Sequence, residues 1–270
     1  MIIILSPAKT LDFTQQQQTT HFTRPVFEKE ADYLALTLNA KNPEQLSAIL
    51  NTNVKLTELT FNRFQNWNSP KTKKQAKQAV FVYDGLVFKG LDALTLNERE
   101  LQFAQSHLRI LSGLYGVLRP LDKIRPHRLE MAARLNNDAG KDLYDFWRDK
   151  ITMSVKADFR NFGKSKKETV HAKSASPRNP ILINLASDEY SSVINYKLLP
   201  ARIITPTFKD YHKGSYTILS TYAKRARGMM TRFIIQNAIT DPQEMKLFES
   251  EGYYYCEHLS DDLKWVFTRG

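Results

Sequence analysis

Short runs of branched aliphatic residues, separated by stretches with helical spacing, are what most constrain the fold of this chain. Ile2-Ile3-Ile4-Leu5, closed by Ser6-Pro7, and Ile181-Leu182-Ile183-Asn184-Leu185 have the length and side chains of strands buried on both faces. Such strands belong to sheets covered on both sides, and the segments between them supply the cover. From Glu28, Ala31, Leu34, Ala35 and Leu38 mark one helix, and Asn42-Pro43 opens another through Leu46, Ile49 and Leu50. After a break at Asn51–Asn53, Leu56, Leu59, Phe64 and Trp67 continue the helical spacing. Glu98–His107 reads as a helix feeding a short strand, Leu108–Leu111, and Leu143–Phe162 as a long amphipathic helix. Arg202–Thr207 and Tyr216–Leu219 read as strands, followed by a helix burying Tyr222, Ala226, Met229 and Phe233. Val80–Tyr83 and Leu86–Phe88 flank Asp84-Gly85 as in a tight hairpin, and Gly252–Cys256 with Leu263–Thr268 read as a closing hairpin. These patterns predict an α/β fold: a single domain over residues 1–270 with a central mixed β-sheet flanked by helices. At 270 residues the chain buries a large core without help from disulfides or metals.

Most catalytic chemistries fail on inspection. Cys256 is the only cysteine, and the six histidines lack ligand spacing, so neither a metal site nor a cofactor is expected. Gly163-Lys164-Ser165 ends like a phosphate-binding loop, but Asp158 stands where the leading glycine belongs. Ser6-Pro7-Ala8-Lys9 matches the serine–lysine pair of penicillin-recognising enzymes, yet it follows a strand and lacks the companion motifs. No catalytic residue is assigned. An apolar run of ~20 residues, the length that spans a bilayer, is absent, and Met1–Leu5 is too short for a signal peptide. The expected compartment is the cytoplasm, with no membrane partner.

Charge is segregated. Lys and Arg number 39 against 28 Asp and Glu, a formal net charge of +11. Lys55, Arg63, Lys71, Lys73, Lys74 and Lys77 face only Glu58 along their stretch, with Phe61, Phe64 and Trp67 between them. Residues 156–178 carry seven cations, and residues 209–232 carry six against Asp210 alone. On the helix near residue 224, Lys224 and Arg227 share a face, while Arg225 and Arg232 share another. Gly228 in mid-helix implies that something approaches the backbone closely, either a phosphate or another chain segment. Lys9 follows the first strand, where open α/β sheets bind ligands. Polyanion binding is the reading this distribution favours, with Lys9, Lys55, Arg63, Lys71, Lys73, Arg128, Lys224, Arg225 and Arg227 as candidate contacts to DNA. Residues 42–67, two helices with a tight turn, also suggest a helix-hairpin-helix-like element, although its usual glycines are missing. The alternative is an enzyme on a nucleic-acid or phosphorylated substrate, using Glu130, Asp122 or Asp188 with Arg128 and Lys9.

Phrases along the whole chain resemble the YaaA family of bacterial proteins, also called UPF0246 or DUF328. They include Ser6-Pro7-Ala8-Lys9-Thr10-Leu11, Tyr83-Asp84-Gly85, Lys89-Gly90-Leu91 and Leu111–Asp122. Arg128-Leu129-Glu130-Met131, Asn184–Tyr190 and Tyr222–Gly228 complete the set. The resemblance implies a family-specific single-domain fold with a positively charged cleft and a helix-hairpin-helix-like element at 42–67. It further implies DNA binding in the cytosolic response to hydrogen peroxide, tied to limiting free intracellular iron. His127 departs from the family pattern, which has Tyr there, and the basic loop 163–179 reads as an insertion.

Overall fold

The computed structural model describes residues 1–14, 19–165 and 180–270, so most of the basic loop 163–179 lies outside the described residues. Ile2–Leu5 is wholly buried in an eight-stranded mixed sheet. Leu108–Ser112 pairs parallel with it on one side and Ile181–Leu185 on the other. Arg202–His212 and Lys264–Arg269 extend the parallel block beyond Ile181–Leu185. Gly116–Leu118, Ser215–Thr217 and Tyr254–Tyr255 add antiparallel pieces, the last of them closing the predicted terminal hairpin. This order sends the chain from Leu5 to one side of the first strand, and from Leu185 outward on the other. Loops that part in this way leave a crevice at the carboxyl ends of the strands.

The helices bury the stripes their spacing predicts. Glu28–Asn39 buries Ala31, Leu34, Ala35 and Leu38, and Leu143–Ser165 buries Leu143, Phe146, Trp147, Ile151 and Val155. Asn42 and Gln45 cap the helix Pro43–Leu50 reciprocally, at 2.9 and 3.1 Å, an arrangement that contributes about 1 kcal/mol. Asn51 then takes a left-handed conformation (φ 48°), and Asn53 caps Val54–Gln65 through Leu56 N. The two helices of residues 42–67 are therefore joined by a tight turn, with Trp67 buried just past the second.

Two expectations are corrected. Residues 80–88 do not form a hairpin: Ala79–Val82 is a helical turn, Tyr83–Asp84 pairs with Thr10–Leu11, and Leu86–Leu91 is a helix. Gly85 is extended (φ −178°), without the positive φ such a turn needs. Tertiary packing overrides the local pattern, because Leu86–Leu91 lies directly against the helix Ser220–Gln236. A Cβ on Gly228 would sit 1.8 Å from Val87 O, and one on Gly90 2.2 Å from Arg225 O. The close approach inferred at Gly228 is thus a chain segment. That packing also turns the helix: Ala223, Ala226, Met230 and Ile234 are buried, whereas Tyr222 is 48% exposed.

Candidate functional site

Five chain segments converge at the carboxyl edge of the central strands. Ser6 follows the first strand, and its Oγ accepts from Ser187 N at 2.8 Å, tying together the two diverging loops. Gly113, just past Ser112, is crossed so closely by the segment 128–130 that a Cβ would stand 2.4 Å from Leu129 O. Only glycine at 113 lets Arg128 and Glu130 seat over the strand end. Tyr83–Asp84 is held from the opposite side by its pairing with Thr10–Leu11. The resulting pocket is lined by Lys9, Tyr83, Ser112, His127, Arg128 and Glu130, with Tyr190 entering after Ile181–Leu185.

Its charges are connected. Glu130 Oε1 receives Arg128 Nη2 and lies 3.3 Å from Lys9 Nζ. The Lys9 side chain is 65% exposed at the mouth, whereas those of Arg128 and Glu130 are 13% and 17% exposed. Arg63 reaches in from Val54–Gln65, donating to His127 O at 3.4 Å. Burial, and then the neighbouring Arg128 charge, hold the Arg63 pKa below its ordinary value. Two cations thus meet on one carboxylate, and a third, Arg63, stands beside Arg128.

Two polar atoms of this pocket are buried without a partner among the described residues. Arg128 Nε has no acceptor there, and no hydrogen bond of normal geometry satisfies the Tyr83 hydroxyl, although Ser112 stands beside it. Burial pushes the Tyr83 and Tyr190 phenols well above their usual range, so both are neutral donors. His127 is enclosed against Tyr115, its Nδ1 2.8 Å from Arg125 O, and burial lowers its pKa to about 4. Tyr83, Ser112 and Tyr190 were not singled out as site residues from sequence. The signal available was that each sits inside or beside a quoted motif at a strand end.

The remaining sequence candidates separate. Arg227 is largely buried, with Asp188, in the same loop as Ser187, drawing its charge. Lys224, one turn earlier on the same face, is exposed. Arg225 instead points to Glu251, bonded at 2.8 Å, so its charge is matched. Lys55, Lys71 and Lys73 are exposed on Val54–Gln65 and Pro70–Lys74, and neither they nor Lys224 make an ion pair with any of the described residues. Of the alternative acid set, Glu130 lines the pocket, Asp188 sits beside Arg227 and Tyr196 instead, and Asp122 is elsewhere. It is buried, bonded to Thr23 Oγ1 and Arg119 N, in a second cleft with Arg109 and Asp158. Among the described residues no group of three or more His, Cys, Asp or Glu could hold a metal ion. No helix among them is long and apolar enough to cross a membrane.

The sequence profile described as "Peroxide stress protein YaaA" matches residues 1–259. The chain belongs to that family. Among its relatives, the UPF0246 protein of Ralstonia nicotianae is 46% identical over 269 residues, covering 100% of this chain and 99% of the relative. UPF0246 proteins of Hahella chejuensis and Teredinibacter turnerae are each 44% identical over the same length, again with 100% and 99% coverage. Every residue that lines the pocket falls within the residues matched by the YaaA family.

Proposed function

We propose that this YaaA-family protein binds DNA in the cytosolic response to hydrogen peroxide, gripping the phosphate backbone with little sequence preference. The observation that carries this reading is the set of unpaired, exposed cations, Lys55, Lys71, Lys73 and Lys224, outside a cleft where Lys9, Arg63 and Arg128 already outnumber Glu130. Unpaired surface lysines gain little for the fold itself, whereas each one that meets a phosphate releases a counterion. The helix pair of residues 42–67 carries Lys55 and Arg63, joining the exposed cations to the cleft. Arg225 contributes least, since Glu251 matches its charge.

Gel shifts with duplex, single-stranded and junction DNA at two salt concentrations test the reading. Affinity is expected to fall with salt, with a log–log slope of about −0.9 per phosphate neutralised. Binding that ignores salt would contradict it. The link to peroxide runs through limiting free intracellular iron, which the family resemblance supports. Cells lacking the protein should then hold more chelatable iron under peroxide than cells carrying it, and equal levels would remove that link.

A further inference from the structure

We propose that the pocket between Lys9, Tyr83, Ser112 and Arg128 is a binding site for an oxyanion head group of the phosphate class, sharing Lys9 and Arg128 with the proposed DNA-binding cleft. Its donors are in surplus. Arg128 Nε is buried without an acceptor, the Tyr83 hydroxyl is buried with only Ser112 beside it and no hydrogen bond of normal geometry, and both residues line this cavity. A buried donor without an acceptor costs about 1–3 kcal/mol, so a fold retains two at one point where an acceptor arrives from outside. Ser112 adds to the set: its Oγ accepts from Tyr115 N at 3.1 Å, and its hydroxyl proton can turn to Tyr83 or to a ligand. Lys9 Nζ stands at the open side. These donors come from four separate segments of the chain, and all stand at the carboxyl edge of the sheet, where the loops part.

Charge points the same way. Lys9 and Arg128 share the one Glu130 carboxylate, so Glu130 compensates one cation, and Arg63 beside Arg128 adds further positive charge. An entering oxyanion supplies both the missing counter-charge and the missing acceptors. Glu130 Oε1 takes both cation contacts, which leaves Oε2 to accept a proton-bearing group of the ligand, such as a hydroxyl or amine. Size narrows the ligand further. The cavity holds about 20 Å³, little more than one water. It admits the oxygens of a head group while the body of the ligand stays outside.

Two sources present this chemistry: a free small phosphate ester, or the terminal phosphate of a nucleic acid. The test is a titration of the full-length protein with inorganic phosphate, followed by phosphorus NMR and by the thermal midpoint. Saturable binding is expected, weakened about tenfold or more in Tyr83→Phe, which removes one hydroxyl from a buried ring of the same shape. Competition by a 5′-phosphorylated oligonucleotide, but not by its 5′-hydroxyl twin, assigns the site to nucleic-acid ends. Failure of both to compete assigns it to free phosphate esters. Either result supports the site. No saturable binding of phosphate by the wild-type protein, or equal binding by Tyr83→Phe, overturns it. Measuring duplex binding on the same sample keeps the two readings separable. Phosphate failing while duplex binds removes only the pocket, and the converse removes only the DNA reading.

Discussion

Arg109 with Asp158 and Arg128 with Glu130 are both arginine–carboxylate pairs that line clefts, but the first guanidinium is saturated and the second is not. Arg109 donates to both Asp158 oxygens, at 2.7 and 2.8 Å, and its remaining nitrogen reaches Leu108 O at 2.8 Å. Every nitrogen of that guanidinium is satisfied, and both partners are almost fully buried. Arg128 makes its bond to Glu130 but keeps Nε free, while each carboxylate also meets a solvent-facing cation, Arg119 at Asp158 and Lys9 at Glu130. A guanidinium used for structure is saturated, whereas one held for a ligand keeps a donor in reserve. The neighbouring tyrosines make the same distinction: Tyr115 accepts from Arg125 N at 3.0 Å inside the fold, while the Tyr83 hydroxyl lines the open site.

The largest expected effect lies at the saturated pair. Asp158→Ala leaves a buried guanidinium uncompensated and should cost about 3–5 kcal/mol in urea denaturation. The open site contributes a pH dependence instead. The unfolded chain protonates His127 near pH 6.5, whereas the folded one resists until about 4. Stability is therefore full above pH 6.5 and falls as pH drops towards 4, by about 3 kcal/mol for this group. His127→Asn should flatten the slope of stability across that window, and an unchanged slope would show that His127 is not held neutral. Glu130→Gln keeps the shape and should cost less than about 1.5 kcal/mol, while raising the affinity for inorganic phosphate severalfold by removing the site's own anion. A destabilisation as large as that of Asp158→Ala would make the two pairs alike. Smallest of all, single Lys→Glu changes at 55, 71, 73 or 224 should stay within about 0.5 kcal/mol in denaturation.

The centre of the sheet is legible in the sequence. Ile2–Leu5 and Ile181–Leu185 announce the parallel strands because buried strands leave continuous aliphatic runs, and Asn42-Pro43 announces a cap because each residue type has a local backbone role. The helix at residues 86–91 is hidden, because its cause is a partner far along the chain, glycine against backbone at Gly228. The pocket is half legible. Lys9 and Arg128 stand out by charge, but Tyr83 and Ser112 are ordinary core residues until the sheet order brings the ends of distant strands together. Asp122 shows the converse: close to Arg119 in a promising motif, it turns into a different cleft. Arg225 stands out by the same charge as Lys224, and only the fold reveals that Glu251 matches it.

If unpaired cations hold DNA by its backbone, one salt series shows it most directly. Duplex affinity is measured across salt for the wild-type protein and for the variant Lys55→Glu, Lys71→Glu, Lys73→Glu and Lys224→Glu combined. The expected wild-type slope is steep, and in the variant it becomes shallower by about 0.9 for each phosphate no longer neutralised, with weaker binding to every sequence alike. A wild-type affinity indifferent to salt, or a variant that binds with the wild-type slope, would contradict backbone binding by these lysines.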